Sequence, residues 1–386
     1  MAKRILLHLA ERRSAMVALA EELIRCESPS TDPESLGPIL ALLGRELRAR
    51  GLSVRRLAGH GTRGHLCARP AERTRRGPYQ LLLGHCDTVW PRGTLATMPV
   101  ERDGDRLRGP GAFDMKGGLV QLLFALEAVR DLGLRPAVLP VVFINSDEES
   151  GSPDSTRHII RLARGADRAL VLEPALGPTG ALKTARKGVG SFVVRVHGRR
   201  AHGGLDPEAG ASAVRELAHV IQSLYALADP AREISVNVGR VEGGTAANVV
   251  ARDGLAVVDV RVPTREEGRR LERLIHGLRP RTPGTRLEIE GEVGRPPLER
   301  TPRNRALWEA ARSAAAALGV ELEEGKSGGA SDGNTTSQYT ATLDGLGAVG
   351  DGAHADHEFI CVDRMVERSA LVALLLLLPP LETGRT

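Results

Sequence analysis

The amino-acid sequence predicts a mixed α/β protein in which a largely parallel sheet is flanked by helices and a smaller α/β domain is inserted. Strand-like and helix-like segments alternate along the first part of the chain, a pattern typical of a parallel sheet layered with helices. After residue 186 the order changes, and strands outnumber helices until about residue 298. At 386 residues, the chain has the length of two or three domains and can bury a sizeable core without disulfides.

The first domain is predicted to open with helices. Apolar residues between Ile5 and Ile24 recur at roughly helical spacing, and a second helix is predicted over residues 35–51. Strands are then predicted over residues 80–83, 138–145 and 169–172, with a helix over 117–132 between the first two. The apolar run at residues 370–378 is too short to span a bilayer, so it predicts a buried C-terminal helix and no membrane association.

The inserted segment is predicted to be a two-layer α/β sandwich of βαββαβ order. Its strands are predicted over residues 190–196, 234–241, 255–262 and 286–291, and its helices over 209–227 and 265–278. A helix over 304–318 then resumes the first pattern. We therefore expect a discontinuous catalytic domain, residues 1–186 with 299–386, and an inserted domain, residues 187–298.

Charge and composition argue against nucleic-acid binding and against export. The 53 basic and 48 acidic residues leave a net charge of +5, and aromatic residues make up only 3% of the chain. The densest basic run, at residues 73–76, is too short for a nucleic-acid stripe. Four widely spaced cysteines form no CxxC pair, and the N-terminal apolar stretch is too short for a signal peptide. We expect reduced thiols, a cytoplasmic protein and no nucleic-acid partner.

Histidine and carboxylate residues follow each predicted strand of the first domain. Because the carboxyl ends of parallel strands meet at one edge of a sheet, these side chains are expected to converge there, joined by one from the loop that enters the helix at Gly117. The residues that share this placement are His85, Asp87, Asp114, Glu148, Glu149 and Glu173. Gathered carboxylates repel one another unless a cation holds them. Mixed imidazole and carboxylate ligands indicate zinc, with manganese or cobalt as alternatives.

Four motifs follow one another along the chain: His85-Cys86-Asp87-Thr88-Val89-Trp90-Pro91, Asp114-Met115-Lys116-Gly117-Gly118, Asp147-Glu148-Glu149 and Arg200-Ala201-His202-Gly203-Gly204. In kind and order they resemble the M20 metallopeptidase family, which includes glutamate carboxypeptidase, acetylornithine deacetylase and succinyl-diaminopimelate desuccinylase. The resemblance extends from about residue 20 to the C-terminus, and the stretch from His85 to Thr94 looks closest to the glutamate carboxypeptidase branch. Met115 departs from that branch, which often has an acidic residue there.

The resemblance implies a site for two metal ions bridged by Asp114. His85 and Glu173 would be the further ligands of one ion, and Glu149 and His354 those of the other. His354 is favoured over His357 because the family ligand lies four or five residues before a glutamate, and Glu358 fits that spacing. Such a pair of ions acidifies a bridging water and stabilises the tetrahedral oxyanion.

The resemblance assigns Glu148 as the general base that takes the proton of this water and passes it to the leaving nitrogen. Asp87, two residues after His85, would orient the imidazole ring of that ligand.

The inserted domain of the family mediates dimerisation and closes over the substrate. The resemblance implies that His202 reaches the site of the partner subunit, that Asn248 contacts the substrate and that Arg295 grips its carboxylate through two hydrogen bonds. The glycine-rich segment at residues 328–333 would line the site, because close approach of the backbone requires small residues. A homodimer is therefore expected.

Two other interpretations remain open. Residues 329–333 fit the G-x-S-x-G pattern of serine hydrolases, with Ser331 as nucleophile, Asp344 or Asp351 as the acid and His354 as the base. In that arrangement the acid and the histidine would follow the serine within 23 residues, which leaves little room for strands between them. It also does not explain the cluster of histidine and carboxylate residues. A metal-binding protein without activity is the second alternative, although such a protein should have lost Glu148 or a ligand.

We therefore expect a metal-dependent hydrolase that cleaves an amide bond next to a free carboxylate. The first choice is a carboxypeptidase that releases C-terminal Glu or similar residues from small peptides or N-acylated substrates. The alternative is an N-acyl-amino-acid deacylase of the acetylornithine or desuccinylase type, which the core motifs do not separate from the first. Lys183 and Lys187 are candidates for reading an acidic side chain.

Overall fold

The computed structural model describes residues 1–71 and 77–381, and these form two compact units. The first unit comprises Met1–Ala185, Arg300–Ser327 and Ser331–Thr386, and the second comprises Arg186–Glu299 with Gly328–Ala330. Residues 328–330, which the sequence assigned to the catalytic domain, group instead with the second unit. The basic run at residues 73–76 lies outside the described residues.

The described chain contains helices α1 to α10 and strands β1 to β16. The helices are α1 Ala2–Glu11, α2 Arg13–Arg25, α3 Leu36–Ala49, α4 Gly117–Asp131, α5 Thr156–Ala163, α6 Ala213–Tyr225, α7 Arg265–His276, α8 Pro302–Ala316, α9 Asp332–Thr336 and α10 Val362–Leu376. The strands are β1 Leu52–Leu57, β2 His65–Pro70, β3 Tyr79–His85, β4 Glu101–Asp103, β5 Arg106–Arg108, β6 Leu139–Asn145, β7 Ala166–Val171, β8 Leu182–Arg186, β9 Gly188–His197, β10 Ser235–Gly243, β11 Asp253–Val262, β12 Arg286–Arg295, β13 Glu324–Ser327, β14 Ala341–Leu343, β15 Gly350–Asp351 and β16 Phe359–Cys361.

The single opening helix predicted from Ile5 to Ile24 is wrong, because the chain forms α1 and α2 there. The break is at Arg12, whose N–H still bonds to the last turn of α1 while its backbone (φ −92°, ψ −1°) redirects the chain. Both helices bury apolar residues. Because the apolar residues of both helices keep a near-helical spacing, the sequence pattern does not show where the first helix ends.

The main sheet of the first unit is mixed and largely parallel, which confirms the predicted fold class. Its strand order is β1-β2-β6-β3-β7-β14. Strand β3 runs parallel to both β6 and β7, and β14 runs parallel to β7. The antiparallel pairings described in this sheet are β1 with β2 and β2 with β6, so β2 runs against the direction of the other five strands. The three central parallel strands therefore end at the same edge.

Helices α4 and α10 form the centre of the core of the first unit. Helix α4 is buried on nearly every face, and α10 packs against both α4 and α1. The predicted apolar run at residues 370–378 lies mostly in α10, where residues 368–376 are buried. Burying each leucine of this run stabilises the fold by about 1.5–3 kcal/mol. Among the described residues, no helix combines the length and apolar character that a membrane crossing requires.

Two smaller sheets in the first unit were not predicted. One has the order β15-β16-β5-β4, and the other pairs β13 with β8. Strand β16 is antiparallel to β5, with Phe359 opposite Arg108. Their strands have two to five residues, too few to show a two-residue alternation of apolar and polar side chains.

The second unit follows the order β9-α6-β10-β11-α7-β12 along the chain. Its antiparallel sheet has the strand order β10-β11-β9-β12, which leaves β10 and β12 at the two edges. Strand β11 alternates buried and partly buried residues over most of its length, as expected for a strand with one face on a core. That core includes Phe192, Val258, Val260, Leu271 and Ile275.

Candidate metal centre

The carboxyl ends of three neighbouring parallel strands form one wall of the site. Strand β3 ends at His85, which lies opposite Asn145, the last residue of β6. Strand β7 pairs with β3 up to Val171, two residues before Glu173. The turn after β6 carries Glu148 and Glu149. The predicted convergence of histidine and carboxylate residues at this edge is what the structure shows.

Asp114 reaches the same place from a loop whose backbone requires glycine. Gly111 has a φ of +72°, and a Cβ there would lie 2.5 Å from Cγ2 of Thr88. Asp114 itself is extended (φ −112°, ψ 96°) before α4 begins. At the start of α4, a Cβ on Gly118 would lie 2.1 Å from the carbonyl oxygen of Leu172. Small residues therefore allow α4 and the end of β7 to approach closely, which brings Asp114 near Glu173.

The first cluster of potential ligands is His85, Asp114 and Glu173. Nε2 of His85 lies 3.2 Å from Oδ1 of Asp114 and 3.5 Å from Oε1 of Glu173. The opposite nitrogen, Nδ1, lies 3.0 Å from the carbonyl oxygen of Asp87. A carbonyl only accepts hydrogen bonds, so the proton belongs on Nδ1 and the lone pair of Nε2 faces the two carboxylates. Three acceptors that face one another need a proton or a cation between them.

The second cluster is Asp114, Glu149 and His354. Nε2 of His354 lies 3.1 Å from Oε2 of Glu149 and 3.6 Å from Oδ2 of Asp114. The other oxygen of Glu149 is buried and has no hydrogen-bond partner among the described residues. Asp114 thus presents one oxygen to each cluster. His357, the alternative ligand in the sequence, is exposed and belongs to neither cluster of the described residues.

Asp87 is fully buried and supports both sides of the site. Its Oδ1 lies 3.5 Å from Nδ1 of His85 and accepts the backbone N–H of Glu148 at 3.2 Å. Its Oδ2 accepts the N–H of Glu149 at 3.1 Å and the hydroxyl of Ser30 at 2.7 Å. Although burial raises the pKa of Asp87, its contacts with His85 outweigh this effect and lower that pKa.

The electrostatics of the clusters fit divalent cations. Burial lowers the pKa of His85, but bonds to Asp114, Asp87 and Glu173 raise it well above its usual value. The contact with Glu149 raises the pKa of His354 to about 9. Burial raises the pKa of Glu149. These pKa shifts reflect the repulsion between the gathered carboxylates. Protons on the histidines offset this repulsion only in part, whereas a bound cation would offset it directly. The donor set of imidazole and carboxylate suits zinc, manganese or cobalt.

Glu148 and Met115 complete the immediate surroundings. Glu148 is 9% exposed and directly precedes Glu149 of the second cluster, so this residue is largely shielded from solvent. Met115 is buried, and its sulfur lies 3.2 Å from the backbone nitrogen of His85. A thioether is a weak acceptor, so Met115 packs beneath the strand end and supports it.

Sequence reasoning used Glu358 only as a landmark for His354 and missed its structural contacts. Glu358 is fully buried and accepts the N–H of Asp114 at 2.9 Å, among other bonds. The signal in the sequence is weak, since a single glutamate before a short strand has no distinctive spacing.

The serine-nucleophile alternative is not supported by the geometry. Ser331 is fully buried, caps α9 and donates to Oδ2 of Asp344 at 2.6 Å. His354, the base that this alternative requires, is instead paired with Glu149 and Asp114. A nucleophilic serine needs a histidine within hydrogen-bond reach, whereas Ser331 is bonded directly to a carboxylate.

The three predicted substrate-binding residues lie in the second unit. Nδ1 of His202 accepts the N–H of Gly204 at 3.1 Å and the N–H of Leu205 at 3.0 Å, which leaves Nε2 to carry the proton. The carbonyl of Asn248 accepts the N–H of Gly203, so the loops of His202 and Asn248 are joined. Arg295 is the last residue of β12. Their contact with substrate remains a prediction.

Comparison with known proteins finds a family of peptidases and relatives that match most of the chain. A family model described as Peptidase family M20/M25/M40 matches residues 81–378. Carboxypeptidase G2 of Pseudomonas sp. (strain RS-16) is 26% identical over 385 residues, which covers 95% of this chain and 90% of the relative. Succinyl-diaminopimelate desuccinylase of Delftia acidovorans is 28% identical over 379 residues, covering 90% of this chain and 94% of the relative.

Solved structures share the fold. Aminopeptidase PepT from Bacillus cereus superposes with a TM-score of 0.78 at 22% identity, covering 94% of this chain and 98% of that chain. The YXEP protein of Bacillus subtilis, described as a dinuclear metal-binding peptidase from the M20 family, has a TM-score of 0.69 at 14% identity and covers 95% of this chain and 98% of that chain. At these identities the likeness establishes the common fold.

Proposed function

Because this chain belongs to peptidase family M20/M25/M40 and is a hydrolase of the peptidase or amidohydrolase kind, we propose that it cleaves an amide bond next to a free carboxylate in a small substrate. The preferred activity is that of a carboxypeptidase acting on C-terminal Glu or a similar residue. The cofactor is proposed to be two divalent cations, zinc first, with cobalt or manganese as alternatives.

The observation that carries this proposal is the shared carboxylate of Asp114. One of its oxygens faces His85 and Glu173, and the other faces Glu149 and His354. Two cations held in this way would lower the pKa of a bound water and would supply positive charge to stabilise an oxyanion formed from the amide. His85 and Glu173 would hold one of them, and Glu149 and His354 the other.

The residues of the chain then have separate tasks. Glu148 would accept the proton of the attacking water and pass it to the leaving nitrogen, which requires a carboxylate that holds no cation itself. Asp87 would keep His85 in the orientation and tautomer that direct Nε2 toward the ligand cluster. Since Asp87 also accepts the N–H groups of Glu148 and Glu149, it would set the position of the base relative to the ligands.

The substrate carboxylate requires a cationic partner. Lys183 is buried on β8. Burial raises the pKa of Asp114, and the hydrogen bond and charge of His85, followed by the charge of Lys183, lower it. We propose Lys183 as the cation that recognises an acidic group in the substrate, because its charge acts at Asp114. Arg295 of the second unit is proposed to bind the α-carboxylate, and His202 and Asn248 to contact the substrate.

A homodimer through the second unit is also proposed. Strand β10 lies at an edge of its sheet, and most of its residues are exposed. Val241 on this strand is 51% exposed, and Val214 on α6 is 43% exposed. Apolar side chains beside an unpaired edge favour pairing with another chain. Light scattering of the purified protein would give the mass of the assembly in solution.

The alternative activity, deacylation of N-acyl amino acids, is favoured by the similarity to a succinyl-diaminopimelate desuccinylase along nearly the whole chain. The test is hydrolysis of a panel that contains N-acyl-glutamates, dipeptides with C-terminal Glu, and N-acetyl and N-succinyl amino acids. Protein stripped with a chelator would be assayed alone and after return of zinc, cobalt or manganese.

The expected result is release of Glu from the larger acyl compounds that depends on an added metal. Preference for N-acetyl or N-succinyl basic amino acids would favour the deacylase instead. Hydrolysis that is indifferent to chelation would refute the two-cation proposal for either activity.

A further inference from the structure

Glu358 is a buried carboxylate close to both ligand clusters, yet it belongs to neither. It directly precedes β16, which pairs with β5 so that Phe359 lies opposite Arg108. This register places Glu358 across from Gly109, at the start of the loop that carries Asp114. A buried carboxylate loses its hydration and must be compensated by donors within the protein.

Four N–H groups provide that compensation. Oε1 accepts the backbone N–H of Phe113 at 2.8 Å and that of Asp114 at 2.9 Å. Oε2 accepts the backbone N–H of Gly111 and the indole N–H of Trp90, both at 2.8 Å. Each oxygen therefore serves two donors, at distances typical of hydrogen bonds to a charged acceptor.

These donors tie together three segments that carry potential ligands. Trp90 follows His85 by five residues, Asp114 is itself the shared ligand, and His354 precedes Glu358 by four residues. A displacement of the Asp114 backbone would move both of its oxygens at once, and with them one donor atom of each cluster.

We propose that Glu358 is a positioning residue that holds the carboxylate of Asp114 between the two cation sites, so that removing its charge weakens both sites together. The inference rests on the proposed function in that it requires cation binding. It adds a role for a residue that contacts neither cation nor substrate. A glutamine at this position would turn one acceptor oxygen into a donor that faces two N–H groups, whichever way the amide is oriented.

The experiment compares Glu358→Gln with Glu216→Gln in the full-length protein. Glu216 is a matched control because it is also buried, and it accepts the backbone N–H groups of Arg281 and Thr282 within the second unit. Metal-stripped proteins would be titrated with Co²⁺, followed by its visible absorption spectrum, and with Zn²⁺ against a competing chelator. Thermal unfolding of each stripped protein would be recorded alongside.

For Glu358→Gln we expect both equivalents of metal to bind about 10- to 100-fold more weakly than in the wild type, with an altered Co²⁺ spectrum. Glu216→Gln should lower the unfolding temperature but leave both metal affinities within twofold of the wild type. If Glu358 served only general stability, Glu358→Gln would behave like the control, with a lower unfolding temperature and unchanged metal affinities.

Several outcomes would overturn the inference. They are wild-type affinities in Glu358→Gln, weakening of only one equivalent, or equal weakening by the control variant. If Glu358→Gln does not fold, Trp90→Phe removes one of the four donors and should still weaken both equivalents about threefold or more; unchanged affinities there would refute the idea. Failure of the wild-type protein to bind any cation would refute the proposed function itself.

Discussion

Replacing Asp87 with Asn tests how far the site depends on a charge that contacts no cation. Asp87 lies 3.5 Å from the ring of His85 through Oδ1, and its two oxygens accept the N–H groups of Glu148 and Glu149. The substitution keeps the shape of the side chain, removes its negative charge and turns one acceptor into a donor. A backbone N–H that then faces the new amide loses its partner inside a buried site.

The magnitude follows from these contacts. A hydrogen bond to a charged group contributes about 1.5–3 kcal/mol, and one such bond to the ligand turn is lost. About 1.4 kcal/mol corresponds to a factor of 10 in affinity. If losing this hydrogen bond destabilises only the cation-bound protein, cation binding should weaken roughly 10- to 100-fold. This agrees with the effect of about 10- to 100-fold that partners of metal-bound histidines usually have.

The assay is competition between the stripped protein and a chromogenic chelator for Zn²⁺, with turnover measured separately at saturating metal. Ser30→Ala is the matched control, because it removes the hydroxyl that donates to Oδ2 at 2.7 Å but keeps the charge of Asp87. We expect the control to change the metal affinity less than threefold.

The competing explanation is that the backbone carbonyl of Asp87, 3.0 Å from Nδ1, orients His85 without help from the carboxylate. An Asp87→Asn protein with wild-type metal affinity and turnover would favour that explanation and refute a role for the charge of Asp87 in cation binding.

Three further outcomes are expected. Glu148→Gln should lower turnover about 10²- to 10⁴-fold and leave the metal affinity unchanged, measured by the same competition assay. Burial lowers the pKa of His65, so the folded state favours the neutral ring. The stability that this ring contributes is therefore complete above about pH 6.5 and is lost as the pH falls. His65→Phe should make the change in unfolding free energy between pH 7.5 and 5, measured with urea, less unfavourable than in the wild type. Gly118→Ala should cost about 1–3 kcal/mol, because the added Cβ meets the carbonyl of Leu172. Gly37→Ala, where nothing lies within 4 Å, is the control in the same thermal unfolding assay and should be neutral or stabilising.

The composition of the strand ends was enough to predict the edge at which the site forms. Parallel neighbours must end on one side, so placing histidine and carboxylates after β3, β6 and β7 brings them together without further information. The spacing of apolar residues likewise predicted the long helices and the central strands, because one buried face repeats at a fixed period. Both arguments depend only on local sequence and on general rules of packing.

The remaining features depend on contacts between residues far apart in the chain. Glu358 bonds to Asp114 and Trp90 because β16 pairs with β5, and strands of three residues carry no period that reveals such pairing. Sequence determined which chemical groups gather at the edge of the sheet. Which of them face a cation, and which hold the others in position, follows from long-range packing that no local pattern records.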